Sequence, residues 1–201
     1  RRQRQMCIRD SSHIMETYFS EPNKDNVSDD ISEALMKSVI HNLREVIKNP
    51  KDYTARSNLM WAATMAENRI IKLGKRCDFQ CHQMEHQLGA YTDCNHGEGL
   101  AVLHPVYYRH IYKDGLPKFI RFAENVWNIP RDGMSDEELA KSGVESLAAF
   151  IAEIGLPTTL TELGITDEAL LGKVADSCNI APGSYKKMTA EEIRQILKES
   201  I

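Results

Sequence analysis

The sequence predicts an all-α fold, and three observations carry that expectation. Apolar residues recur at helical spacing over long stretches, and Ser/Thr-x-x-Glu capping boxes open two of them. No Val/Ile-rich alternation lasts long enough to make a strand.

Taken in order, Ile31, Leu35, Val39, Leu43, Val46 and Ile47 predict a helix over 28–48 that ends near Pro50. Leu59, Met60, Ala63, Ala66, Ile70 and Leu73 predict another over 53–73, stopped at Gly74, with Met60, Trp61 and Met65 read as core packing. Residues 82–91, 97–112 and 117–127 read as three more helices. Ser135 with Glu138 opens a helix running to Ile154 and stopped by Gly155, and Thr189 with Glu192 opens a last one through Leu197. The 156–163 stretch, with Pro157, reads as a connector with a short turn. There is no internal repeat or low-complexity linker, so one helical unit is expected.

Composition narrows the function classes. At 201 residues, 42% hydrophobic and 27% charged, the chain has the make-up of a globular protein with one sizeable core. It contains no apolar run near the roughly 18 residues that span a bilayer, so no membrane role is expected. A formal charge of -4 leaves no basic footprint for nucleic acid. Five cysteines without framework spacing point to a reducing, cytoplasmic setting.

The N-terminus reads differently from the rest. Residues 1–11 match the translation of a transposase sequencing adapter, and the domain is expected to cover residues 12–201. Setting that segment aside leaves 21 Lys+Arg against 28 Asp+Glu, a net charge of -7.

The chemistry concentrates between Cys81 and Pro105. Of seven histidines, His82, His86, His96 and His104 fall in this stretch and His110 lies five residues beyond it. On a helix, His82 and His86 are i and i+4 and share a face. Gly97 and Gly99 are expected to turn the backbone sharply around His96. Imidazoles on a rigid helix with a third from the next turn suit zinc or iron.

The same residues admit other readings. His82-x-x-Glu85-His86 is an H-x-x-E-H motif, the inverzincin pattern, with Glu85 as base and Glu162 as third zinc ligand in a mixed α/β setting. Cys77, Cys81 and Cys94 offer structural zinc, although their spacings fit no ribbon or finger. A helical metal-binding module without catalysis is the third reading. Elsewhere, His41 reads as a solvated helix residue, and His104 and His110 as pocket lining or surface. Glu85 reads as a residue that orients an imidazole, and Asp136, Glu137 and Glu138 as a helix N-terminus.

One pattern orders these pieces. His13 lies at the head of His-Ile-Met-Glu-Thr-Tyr-Phe. It is followed by N-P-K-D-Y-T-A-R-S-N-L-M-W-A over 49–62, then His82-x-x-x-His86, then His96-Gly97-Glu98-Gly99-Leu100-Ala101. In this the chain resembles the iron-containing alcohol dehydrogenases, particularly their butanol dehydrogenase branch, and the likeness extends more weakly through Asn125, Val126 and Trp127 onward. The resemblance implies the helical C-terminal metal-binding domain of the dehydroquinate synthase-like fold. It makes His13, His82 and His96 ligands of a divalent metal, Fe2+ or Zn2+. His86 would not be a ligand but would lie beside the nicotinamide of NADH or NADPH and the reacting oxygen. It further implies a small alcohol or aldehyde substrate and a homodimeric full-length enzyme. Two features depart from the pattern. The family's aspartate ligand falls on Arg9, with Asp10 one residue off, and the glycine-rich, Rossmann-like cofactor domain is not in this sequence.

Overall fold

The computed structural model describes residues 2–22, 24–183 and 185–201, with side chains other than those of 2–7 and 9. Among the described residues nine α-helices follow one another: α1 (Arg2–Tyr18), α2 (Val27–Lys48), α3 (Tyr53–Glu67), α4 (Gln80–Thr92), α5 (His96–Ile111), α6 (Leu116–Arg121), α7 (Asp136–Glu153), α8 (Glu168–Ser177) and α9 (Ala190–Glu199). Among the described residues the β structure is a single isolated bridge between Glu21 and Arg76, so the all-α expectation holds.

Side-chain caps set the boundaries. Asn26 accepts from the Asp29 amide to start α2, and Asp52 accepts from the Ala55 amide to start α3. Both predicted capping boxes form, at Ser135–Glu138 and Thr189–Glu192. Gly155, in the left-handed region at φ 69°, follows α7.

The core is built around α5. Its residues from Gly97 to Tyr108 are buried without interruption, as expected of a helix with neighbours on every side. Those neighbours are α1, α4, α7 and α9. Phe19 at the end of α1 stacks on Phe119 of α6, ring centres 4.2 Å apart, and meets Tyr108 of α5 at 4.7 Å. α1 and α4 each pack on α5, and those three helices carry the candidate site.

Several boundaries and faces differ from the sequence reading. The helix over 53–73 breaks at Glu67; Arg69 adopts a left-handed conformation and a 3-10 turn, Ile70–Lys72, follows. Met60 and Trp61 are exposed, 71% and 66%, and not core. The buried stripe of α3 is Ala55, Leu59, Ala62 and Ala66, three alanines and one leucine. The 117–127 helix is a short α6 followed by a π turn over Phe122–Val126. The short α8, opened by Asp167 capping Ala169 and Leu170, has no counterpart among the helices that the sequence predicts. Residues 2–11 continue α1 without a break, with Ile8 and Asp10 buried.

Candidate metal centre

α1 supplies His13 and Glu16, α4 supplies His82, Glu85 and His86, and α5 begins at His96 and carries His104. The i, i+4 pair on α4 shares a face as expected, with the rings of His82 and His86 5.9 Å apart. The turn that delivers His96 is made at Asp93, whose φ of 55° lies in the left-handed region that aspartate tolerates. Gly97 and Gly99 do not make it. Both sit within the first turn of α5, which Asn95 caps through the Glu98 amide.

Gly99 has another reason to be glycine. A Cβ there would fall 2.9 Å from Glu85 Oε1 and 3.0 Å from its Cγ. Glu85 fills that space and pairs with Nδ1 of His96. Gly99→Ala is therefore expected to push the Glu85 side chain aside and release His96. Because a flexible side chain can yield and alanine favours a helix, stability should change by less than ~1 kcal/mol. Metal affinity should drop about 10–100-fold. Thermal melts beside a chelator competition check this; unchanged affinity would show that His96 does not depend on Glu85.

His82 is the centre of the cluster. Its ring lies 4.5 Å from that of His13, 5.5 Å from His96 and 6.4 Å from His104. Two imidazoles on one tetrahedral ion place their ring centres about 5 Å apart, given metal–nitrogen distances of about 2.0–2.1 Å. The pairs His13–His82 and His82–His96 bracket that value. His86 stacks on His96 at 5.5 Å, so distance alone does not separate its role, but its environment does. His82 is buried and His86 is exposed.

The carboxylates complete the arrangement. Nδ1 of His82 pairs with Glu16 Oε2, while Glu16 Oε1 accepts the Cys81 amide at 2.8 Å. Nε2 of His82 is buried with no partner among the described residues. Burial, then the neighbouring His96 and His86, brings the His82 pKa down to about 3, so the ring is neutral at pH 7. Burial pushes the Glu16 carboxyl up, against the pull of the Cys81 amide. His13 Nε2 meets Glu67 Oε1 at 3.0 Å. Among the described residues, two sets bring ligand atoms within 4.8 Å of one another: Glu16, His82 and His104, and Glu85, His86 and His96.

Other expectations resolve at the same point. Neither metal-capable set contains a cysteine, which leaves the structural-zinc reading without support. The protease reading fails too, since the setting is helical, Glu85 is committed to His96, and Glu162 accepts the Thr158 amide of its own turn. His41 is exposed and His110 pairs with Glu199, as surface residues do. His104 is wholly buried, and neither ring nitrogen has a partner among the described residues. The Arg9 side chain lies outside the described residues.

A family model described as "Fe-containing alcohol dehydrogenase family, C-terminal" matches residues 11–201. This chain belongs to that family. Among Fe-containing alcohol dehydrogenases it is similar to NADH-dependent butanol dehydrogenase A of Clostridium acetobutylicum, 35% identical over 94% of this chain and 49% of the relative. It is similar also to the NADPH-dependent aldehyde reductase YqhD of Escherichia coli, 29% identical over 92% of this chain and 48% of that one. The crystal structure of NADH-dependent butanol dehydrogenase A from Thermotoga maritima superposes with a TM-score of 0.88 at 30% identity, covering 96% of this chain and 50% of that chain. The chain thus spans about half the length of the relatives it matches.

The donors present fit the metal this family's name implies. His82 offers a neutral, buried imidazole whose Nε2 has no other partner, and His96 is likewise held by a carboxylate through Nδ1. A histidine whose second nitrogen is fixed by a carboxylate is the usual form of a histidine metal ligand.

Proposed function

We propose that residues 12–201 are the metal-binding half of an NAD(P)H-dependent alcohol dehydrogenase or aldehyde reductase acting on small alcohols or aldehydes. His13, His82 and His96 hold Fe2+ or Zn2+. The buried, unpartnered Nε2 of His82 is the observation that carries this reading. A bound divalent ion supplies a Lewis acid for the substrate oxygen.

The chain's own residues bind and orient. His82 presents a neutral nitrogen from a buried position, and His96 presents another from the start of α5. His86, exposed beside His96, relays a proton to or from the substrate oxygen, a role open to an unligated imidazole. The hydride belongs to the nicotinamide, which sequence completing the relatives' length would hold. We place the complete enzyme in the cytoplasm as a homodimer, without nucleic-acid or membrane partners. Among the described residues, no helix is long and apolar enough to cross a membrane.

The test joins this chain to the sequence that completes the relatives' length, with aspartate at position 9. Metal content is measured first, then reduction of short aldehydes with NADH and with NADPH. Stoichiometric metal with nicotinamide-dependent turnover is expected. The 201-residue chain by itself should bind metal weakly and turn nothing over, because catalysis needs the cofactor within roughly 3–3.5 Å of the reacting atom. Metal without turnover in the completed protein would favour a non-catalytic metal-binding module.

A further inference from the structure

We infer that Glu16 is the positioning residue of the metal centre: it anchors to the first turn of α4 and dictates which nitrogen of His82 is offered to a ligand. The inference rests on the proposed metal centre but is read from contacts between α1 and α4 alone.

The two carboxylate oxygens of Glu16 have separate duties. Oε1 accepts the Cys81 amide at 2.8 Å, one of the first N–H groups of α4, which the helix itself cannot satisfy. A carboxylate at that position is favoured by the helix dipole as well as by the hydrogen bond. Oε2 meets Nδ1 of His82, one residue further along the same turn. Cap and ligand are therefore coupled, and Glu16 registers α1 on α4 through a residue 66 positions away in sequence. The register is reinforced nearby, where Ser20 Oγ donates to the Glu16 carbonyl and accepts the Asp78 amide at 2.8 Å.

The coupling requires a carboxylate. The Cys81 amide can only donate. For His82 to present a lone pair at Nε2, its Nδ1 must carry the proton and donate as well. An ionised Glu16, held so against the burial that pushes its carboxyl up, therefore meets two donors with two acceptor oxygens. Glutamine, with nearly the same shape, has one oxygen. If that oxygen keeps the Cys81 amide, its NH2 faces Nδ1 and the proton moves to Nε2, which closes the nitrogen the metal would use. Glu85 holds His96 through Nδ1 in the same way but caps no helix end, so its side chain can move without loosening α4.

The test uses the 201-residue chain and its Glu16→Gln variant. Long-range 15N–1H correlation on the metal-free proteins reports the tautomer of His82, assigned by loss of its signals in His82→Ala. The unsubstituted chain should show the Nδ1–H form, and Glu16→Gln should move the population to Nε2–H. Zn2+ affinity by competition with a chromophoric chelator should then fall about 10–100-fold in Glu16→Gln, with helix content unchanged. A His82 already in the Nε2–H form, or equal and measurable Zn2+ affinity in the two proteins, overturns the inference. The expected tautomers in a chain that takes up no Zn2+ would uphold Glu16 as the positioning residue and sink the metal reading instead. The tautomer of the unsubstituted chain decides the matter even if Glu16→Gln does not fold.

Discussion

His82→Ala should strip the metal from the completed enzyme and abolish turnover with it, while His86→Ala should keep the metal and slow turnover by about 10²–10⁴-fold. Both histidines lie on one face of α4, a turn apart, and their rings are 5.9 Å apart. Burial separates their roles. His82 is buried, is held at Nδ1 by Glu16, and has no other use for Nε2. His86 is exposed and stacks on His96, where it can meet substrate and solvent. Removing His82 also leaves Glu16 buried without its imidazole, which adds a stability cost that His86→Ala lacks. Metal analysis and steady-state kinetics on the two variants check the division. Metal loss from His86→Ala with retention in His82→Ala would reverse the assigned roles.

What the sequence discloses of this site depends on how local each contact is. The His82–His86 spacing and the capping boxes at Ser135 and Thr189 act within one or two helical turns, and the structure places them as the spacing predicts. Glu16 stands one turn beyond His13 but carries no signal in the sequence, because its partners at Cys81 and His82 are more than sixty positions away. By its sequence context Gly99 reads as a turn-former. Its actual role, leaving space for Glu85, arises only when α4 and α5 pack together. The same limit explains α3. Periodicity fits several overlapping stripes there, and the neighbours of α3 select the one built from Ala55, Leu59, Ala62 and Ala66, leaving Met60 and Trp61 in solvent. The family resemblance draws His13, His82 and His96 together from three separate stretches, and the structure sets the rings of His13 and His96 4.5 and 5.5 Å from that of His82.

Asp29→Ala should be the most destabilising single change outside the site, costing about 3–5 kcal/mol. Asp29 is wholly buried at the start of α2, and two buried ammonium groups converge on it. Lys75 reaches Oδ1 at 2.6 Å and Lys118 of α6 contacts Oδ2. Burial holds the Lys75 pKa below its ordinary value despite the carboxylate, so the pair carries a real desolvation cost. Removing Asp29 would strand both cations in the core, the situation in which a broken buried pair is costly. The damage should reach the metal centre. Lys75 also donates to the Tyr18 carbonyl at 3.3 Å, and Lys118 lies 5.0 Å over the Tyr18 ring, so both clamp the end of the helix that carries His13 and Glu16. Urea unfolding should give the loss directly, with a melting point lower by on the order of 10 °C for a domain of this size. Lys118→Met in the Asp29→Ala background should recover part of it, since one stranded charge is then gone and a methionine fills the same space. A loss below ~1 kcal/mol would mean that water reaches both ammonium groups when the carboxylate is removed, and that α1 is held in place by its apolar contacts with Phe119 and Tyr108 instead.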